Sequence, residues 1–272
     1  MILKKLSTAL VLCFALFASH AQAAPILTDI VFVVDESGSM GNVQTNLRNN
    51  IGLFASILQG TGQVSARFGL VGYGSRNPAP RMITDFTDPT SFATAAQGLL
   101  INGGTEPGYT ATAFALNALD GQAPTFSYRS NAVKNVIIMT DEPSNGDRTS
   151  YGAVGGSAVT ETVLDGVLTA NNALYNGVLT NFSTPSYEDL INDHSGNVFD
   201  LNAFNTTDQN VIQAFVTDFA NRKLQETLDF CQLNPNDPAC NPTSVSEPSS
   251  FALLALSLAG LAGVRLRKQK AA

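Results

Sequence analysis

Two uninterrupted apolar runs, Ile30-Val31-Phe32-Val33-Val34 and Val136-Ile137-Ile138-Met139, constrain this chain more than any other feature. Neither alternates with polar residues, so each reads as a strand covered on both faces rather than one with a wet side. Covering both faces of a sheet requires helices on either side. The intervening sequence supplies them: Val43, Leu47, Ile51, Phe54 and Leu58 recur at helical spacing, with Gly60 as the stop. Val64 to Gly74 reads as the next strand, and Arg81 to Thr87 as a short edge strand. Asp88 or Thr90 is suited to cap a helix running to about Leu100, with Pro89 in its first turn. Further helices are expected over 110–119 and 159–171, with strands over 173–179 and 197–201. Gly152 to Gly156 is expected to be flexible, and Thr206 or Thr207 to cap a closing helix carrying Val211, Ile212, Phe215, Phe219 and Leu224. Alternation of this kind predicts an α/β fold, Rossmann-like and doubly wound, with a mostly parallel sheet flanked by helices.

The ends carry different information. Lys4 and Lys5, the apolar stretch from Leu10 to Ala18 and the small residues Ala21-Gln22-Ala23 have the order of a secretory signal cut after Ala23. At the other end Glu247-Pro248-Ser249-Ser250 precedes an apolar segment over 251–264, followed by Arg265, Arg267, Lys268 and Lys270. On composition this segment is a short transmembrane helix with a basic tail. The order resembles the PEP-CTERM sorting signal of Gram-negative bacteria, although Ser246 stands where that pattern usually has Pro. The resemblance implies transient insertion in the inner membrane, removal of the tail by an exosortase, and delivery to the cell surface or beyond, often beside exopolysaccharide. Cys13 leaves with the leader, and Cys231 and Cys240 remain in an oxidising compartment, where a disulfide is expected. The expected division is a leader over 1–23, one domain over 24–230, a stapled linker over 231–246 and the sorting segment over 247–272. Without the leader lysines, the four tail cations and Glu247, 9 basic residues face 21 acidic ones. That balance argues against nucleic acid as a partner.

Asp35, Ser37 and Ser39 follow the first apolar run directly, and Thr140-Asp141 follows the second. Gly103-Gly104-Thr105 forms a tight loop before a helix. Each group stands at a strand end or helix start, where ligands bind in open α/β sheets. Hydroxyls and carboxylates are hard oxygen donors, suited to Mg²⁺ rather than zinc. Taken singly, Asp35 and Ser37 also suit a helix N-cap, Thr105 could cap its own helix and Asp141 could be a turn residue. Together, with Phe68-Gly69-Leu70-Val71, they resemble the metal-ion-dependent adhesion site of von Willebrand factor A domains, a likeness running from about Thr28 to Arg222. It implies that the Ser37 and Ser39 hydroxyls coordinate Mg²⁺, that Thr105 joins when a ligand is engaged, and that Asp35 and Asp141 act directly or through water. Mn²⁺ or Ca²⁺ could take the same place. It further implies capture of an acidic-residue-bearing protein or matrix ligand, in adhesion or matrix assembly.

Glu106 and Glu142 stand beside the pattern and could strengthen cation binding, hold a second ion or repel an acidic ligand. Tyr109 is a candidate for the rim, and Tyr73 for packing beneath it. No Gly-x-Ser-x-Gly, His-Glu-x-x-His, P-loop or Gly-x-Gly-x-x-Gly pattern follows the strands. His194, in a polar loop, is expected to be solvated rather than a base. The expectation is a binding module rather than an enzyme. The alternatives are a structural matrix component with a stabilising ion and, further off, a metal-assisted hydrolase.

Overall fold

The structure is a computed structural model, and it describes residues 24–240. The leader with its cleavage point at Ala23, the Glu247-Pro248 motif and the segment 251–264 lie outside the described residues. For the described residues the expectation of a transmembrane helix is corrected. Among the described residues no helix is long and apolar enough to cross a membrane. Fourteen residues in a helix would reach about 21 Å, short of the ~30 Å hydrocarbon core.

Among the described residues eight strands and seven α-helices follow in order: β1 (Ile26–Asp35), α1 (Gly41–Gln59), β2 (Val64–Tyr73), β3 (Arg81–Thr87), α2 (Pro89–Ala95), α3 (Gly108–Ala115), β4 (Val133–Thr140), β5 (Ala153–Val154), β6 (Ser157–Ala158), α4 (Glu161–Asn171), β7 (Leu174–Leu179), α5 (Glu188–Asp193), β8 (Val198–Asp200), α6 (Leu201–Phe204) and α7 (Gln209–Leu233). Six strands form one sheet in the order β3-β2-β1-β4-β7-β8. Every pairing is parallel except that of the edge strand β3. This is the doubly wound architecture expected from the alternation.

The two apolar runs lie side by side at the centre, with Val34 opposite Met139. Alternate residues serve opposite cores. Ile30, Phe32, Val34, Ile137 and Met139 pack under α1, α2 and α7. Val31, Val33, Val136 and Ile138 pack under α3, α4 and α5. Ile30 to Val34 are at most 1% exposed, so the uninterrupted run has its physical cause in cover from both sides. From β1 the chain winds outward to β2 and β3, then returns past β1 to β4. The reversal opens a crevice at the carboxyl ends of β1 and β4, the topological switch point.

Several boundaries differ from expectation, each for a local reason. The helix from Pro89, capped by Asp88, gives way to a 3-10 turn at Ala96. Leu100 is drawn off instead, its N–H donating to Glu36 Oε1 at 2.8 Å. α3 stops at Ala115, before Asn117 turns into the left-handed region at φ 58°. Asp208, rather than Thr206 or Thr207, caps α7 by accepting from the Asn210 N–H at 2.9 Å. Gly152 to Gly156 contributes to the β5–β6 hairpin, whose turn amides at Gly155 and Gly156 donate to the Asp120 carboxylate. Leu201 begins α6 instead of extending a strand. The expected disulfide is formed between Cys231 and Cys240, against Val133, Leu174, Phe230 and Ala239.

His194 is also corrected. Its side chain is only 10% exposed, with Nε2 2.9 Å from Asp165 Oδ1. The neighbouring backbone pairs at the start of β7, where the Tyr175 N–H donates to the His194 carbonyl at 3.4 Å. That is the opposite end of the sheet from Asp35.

Candidate metal centre

β1 ends in Asp35, which is fully buried. Its carboxylate receives the Ser37 N–H on Oδ1 at 2.7 Å and the Thr140 hydroxyl on Oδ2 at 2.8 Å, which ties the end of β1 to the end of β4. Burial, with a smaller contribution from nearby Glu106, pushes the Asp35 carboxyl up to about 7. A carboxylate taken out of water with no cationic side chain bonded to it is costly to ionise. An adjacent cation would relieve that cost.

The Ser37 and Ser39 hydroxyls lie 3.1 Å apart, Ser37 nearly buried and Ser39 exposed. Neither caps a helix. Ser37 precedes a 3-10 turn and makes no side-chain cap bond, and α1 starts after Met40 with no side-chain cap. Thr105 is likewise free of a capping role, since Pro107 holds the N-cap position of α3. The local demands that favour hydroxyls before helices are therefore not what these residues serve here.

The loops are brought together by contacts far apart in sequence. Ser37 bridges to Gly103. A side chain at Gly103 would collide with the Gly74 carbonyl, so only glycine permits this approach. Gly74 itself has φ 77°, and a methyl group there would lie 3.3 Å from the Thr105 carbonyl and 3.4 Å from both Asp35 Oδ1 and Glu106 Cγ. One methyl-sized space therefore touches all three residues. Asp141 follows β4 directly, and its carbonyl accepts from the Thr180 hydroxyl at 3.0 Å. Its Oδ1 is buried and has no hydrogen-bond partner. An unpaired buried carboxylate oxygen calls for a ligand.

The flanking residues divide by role. Glu106 is buried, its Oε2 accepting from Asn145 Nδ2 at 2.7 Å, and its backbone exchanges two further bonds with Asn145. Glu142 is partly exposed, and burial with the charges of Glu106 and Asp141 raises its carboxyl. Tyr109 is half-buried and tethered, its hydroxyl donating to the Ser186 carbonyl at 2.5 Å. Tyr73 is fully buried beneath the site.

Three supporting residues were not legible as such. Glu36, fully buried, pairs with Arg81 and receives Leu100, while its carbonyl accepts the N–H groups of Asn102 and Gly103. It thereby holds the loop that leads to Thr105. Asp147 accepts from the Thr110 amide and hydroxyl and from Ser144, fastening the loop after β4 to α3. Thr140 was seen only as the residue before Asp141. The one sequence signal for Glu36 is an acidic residue placed inside the serine pattern.

Among the described residues no group of three or more His, Cys, Asp and Glu side chains is placed to hold a metal ion. The candidate donors are of another kind: the hydroxyls of Ser37, Ser39 and Thr105, with the carboxylates of Asp35 and Asp141. That oxygen set, with one carboxylate buried and another oxygen orphaned, fits a hard divalent cation.

No curated protein matches the chain. The PEP-CTERM protein-sorting motif matches residues 244–268, and it implies exosortase-type processing and export to the surface or beyond, as in Gram-negative systems. The model of the von Willebrand factor type A domain matches residues 29–216, from within β1 to the first turns of α7, a span that takes in every candidate donor. That span is more than half of the chain, and the protein belongs to the von Willebrand factor type A domain family.

Proposed function

We propose that this exported protein captures a macromolecular ligand through a divalent cation, Mg²⁺ by donor chemistry, held by Asp35, Ser37, Ser39, Thr105 and Asp141. The observation that carries the reading is the orphaned, buried Asp141 Oδ1 across the crevice from a buried Asp35 carboxylate. Binding rather than turnover is favoured because His194 is held by Asp165 at the far end of the sheet, where it cannot serve as a base. When bound, the ion would supply an electrophilic position that an oxygen of the partner completes. Adhesion or assembly of extracellular matrix is the setting proposed. In this reading the leader ends at Ala23, the binding domain occupies 24–230, the Cys231–Cys240 staple opens a linker to 246, and the sorting segment follows. A pull-down from matrix extract tests the function. Retention in Mg²⁺ but not in chelator, and loss in Asp141→Ala, is expected; equal retention in chelator contradicts it.

A further inference from the structure

The acidic domain has few cations, and most are committed. Arg67, Arg81, Arg129, Arg222 and Lys223 each pair with a carboxylate. Arg76 and Arg148 are exposed, and among the described residues neither takes part in an ion pair. Both stand at the mouth of the candidate metal centre. The Arg76 backbone N–H donates to Asn102 Oδ1 at 3.2 Å, which places the residue beside the Gly103 that bridges Ser37. Arg148 lies on the other side. Its Nη2 is 3.6 Å from the point where a methyl on Gly146 would sit, and that point is 2.6 Å from Thr105 Cγ2. Its guanidinium lies over the Tyr151 ring at 4.8 Å and its Nε donates to the Gly146 carbonyl, leaving the terminal N–H groups available.

The charge balance gives these arginines a consequence. Asp141 and Glu142 are the partly exposed carboxyl groups at the mouth, with Asp35 and Glu106 buried behind them. An acidic partner would therefore meet groups of like charge there. Arg76 and Arg148 supply the opposite charge beside them. They also offer planar forks suited to further carboxylates.

The rim is apolar as well. Of the large hydrophobic side chains, Leu100 is 40% exposed, Ile101 57% and Phe182 66%. Leu100 and Ile101 lie on the loop held by Glu36, and Phe182 lies between Thr180 and Ser183, which bond to the carbonyls of Asp141 and Thr140. Apolar side chains around a charged centre suit a protein surface better than a hydrated glycan.

We infer that Arg76 and Arg148 are specificity-determining residues of the site, and that its partner is a protein surface presenting at least two carboxylates beside apolar side chains. The inference rests on the metal-dependent reading above.

The test uses the exported chain, Mg²⁺ titration calorimetry, and three labelled probes: a peptide with two glutamates and two leucines, the same peptide with glycines for leucines, and polygalacturonate. In Mg²⁺ the glutamate–leucine peptide is expected to bind about fivefold or more tighter than either other probe. Arg76→Gln with Arg148→Gln should weaken it by about tenfold, and Arg76→Lys with Arg148→Lys, which keeps the charge without the fork, should restore part of that loss. Removing two cations should leave Mg²⁺ affinity unchanged or higher, the opposite direction, which a merely misfolded variant would not show. Unchanged peptide binding in the Gln double variant, with its Mg²⁺ isotherm intact, overturns the inference alone. Tighter binding of polygalacturonate overturns the choice of a protein partner. An absent Mg²⁺ isotherm in the unmodified chain removes the underlying site, and the inference with it.

Discussion

Asp35 joins local chemistry to stability. Its carboxyl is raised to about 7 in the folded protein, against an ordinary value of 3.8. A carboxyl raised on folding binds its proton more tightly in the native state than in the unfolded one. Its contribution to stability is therefore lost as pH rises from about 4 to about 7, and stays lost above that. A cation works in the opposite sense, favouring the ionised form. Thermal melts should accordingly show a Mg²⁺-induced rise in Tm that is larger at pH 8 than at pH 5. A shift that is equal at both values, or larger at pH 5, would count against Asp35 as a ligand. Gly74 gives a second prediction. At φ 77°, with three site residues within 3.4 Å of a new methyl, Gly74→Ala should cost about 1–2 kcal/mol in backbone conformation and weaken Mg²⁺ binding. Denaturant unfolding and calorimetry would measure the two effects separately. Neither residue's environment was legible from its neighbours in sequence. The Thr140 hydroxyl that meets Asp35 is 105 positions away.

The legibility of each element followed from how completely local pattern determined it. β1 and β4 were plain because both faces are covered, which leaves no polar residue to confuse the period. α2 was overestimated because helical propensity cannot reveal that Glu36 captures Leu100. The hairpin β5–β6 read as flexible because its turn glycines at φ 58° and 78° have no apolar signature. α7 carries a buried polar network that its hydrophobic spacing conceals. Lys223 Nζ donates to Asn135 of β4 and to Glu226, and Glu226 in turn accepts from Asn176 of β7 and from Asn197. Lys223→Met would leave Glu226 buried without its charge partner, and a loss of about 3–5 kcal/mol in denaturant unfolding is expected. A loss below 1 kcal/mol would show the network to be dispensable. The staple at the end of the same helix closes a nine-residue separation. Cys231→Ser with Cys240→Ser should cost about 2.5–3 kcal/mol on chain entropy, with Mg²⁺ affinity unchanged because the staple packs against Val133, at the opposite end of β4 from Asp141.

At the scale of the whole molecule, sheet order places the candidate donors. β1 and β4 are neighbours at the switch point, which puts Asp35 and Asp141 at adjacent strand ends, while the approach of the Gly103 loop depends on Gly74 and Gly103. The candidate donors were legible in sequence as residues at strand ends, and the resemblance supplied the proposal that they act together. What remained hidden was the layer that holds them: Glu36 on the Thr105 loop, Asn145 on Glu106, and the two glycines that permit close approach. Such contacts depend on which loops meet, and no single loop encodes that. The excess of acid across the domain is compatible with cation binding, but it locates nothing by itself. The most direct test of a metal centre is isothermal titration of the exported chain with Mg²⁺, Mn²⁺ and Ca²⁺, beside Asp35→Ala. Saturable binding at one site, lost in a variant that remains folded, is the result expected. Well-folded protein that binds none of the three ions would contradict the account.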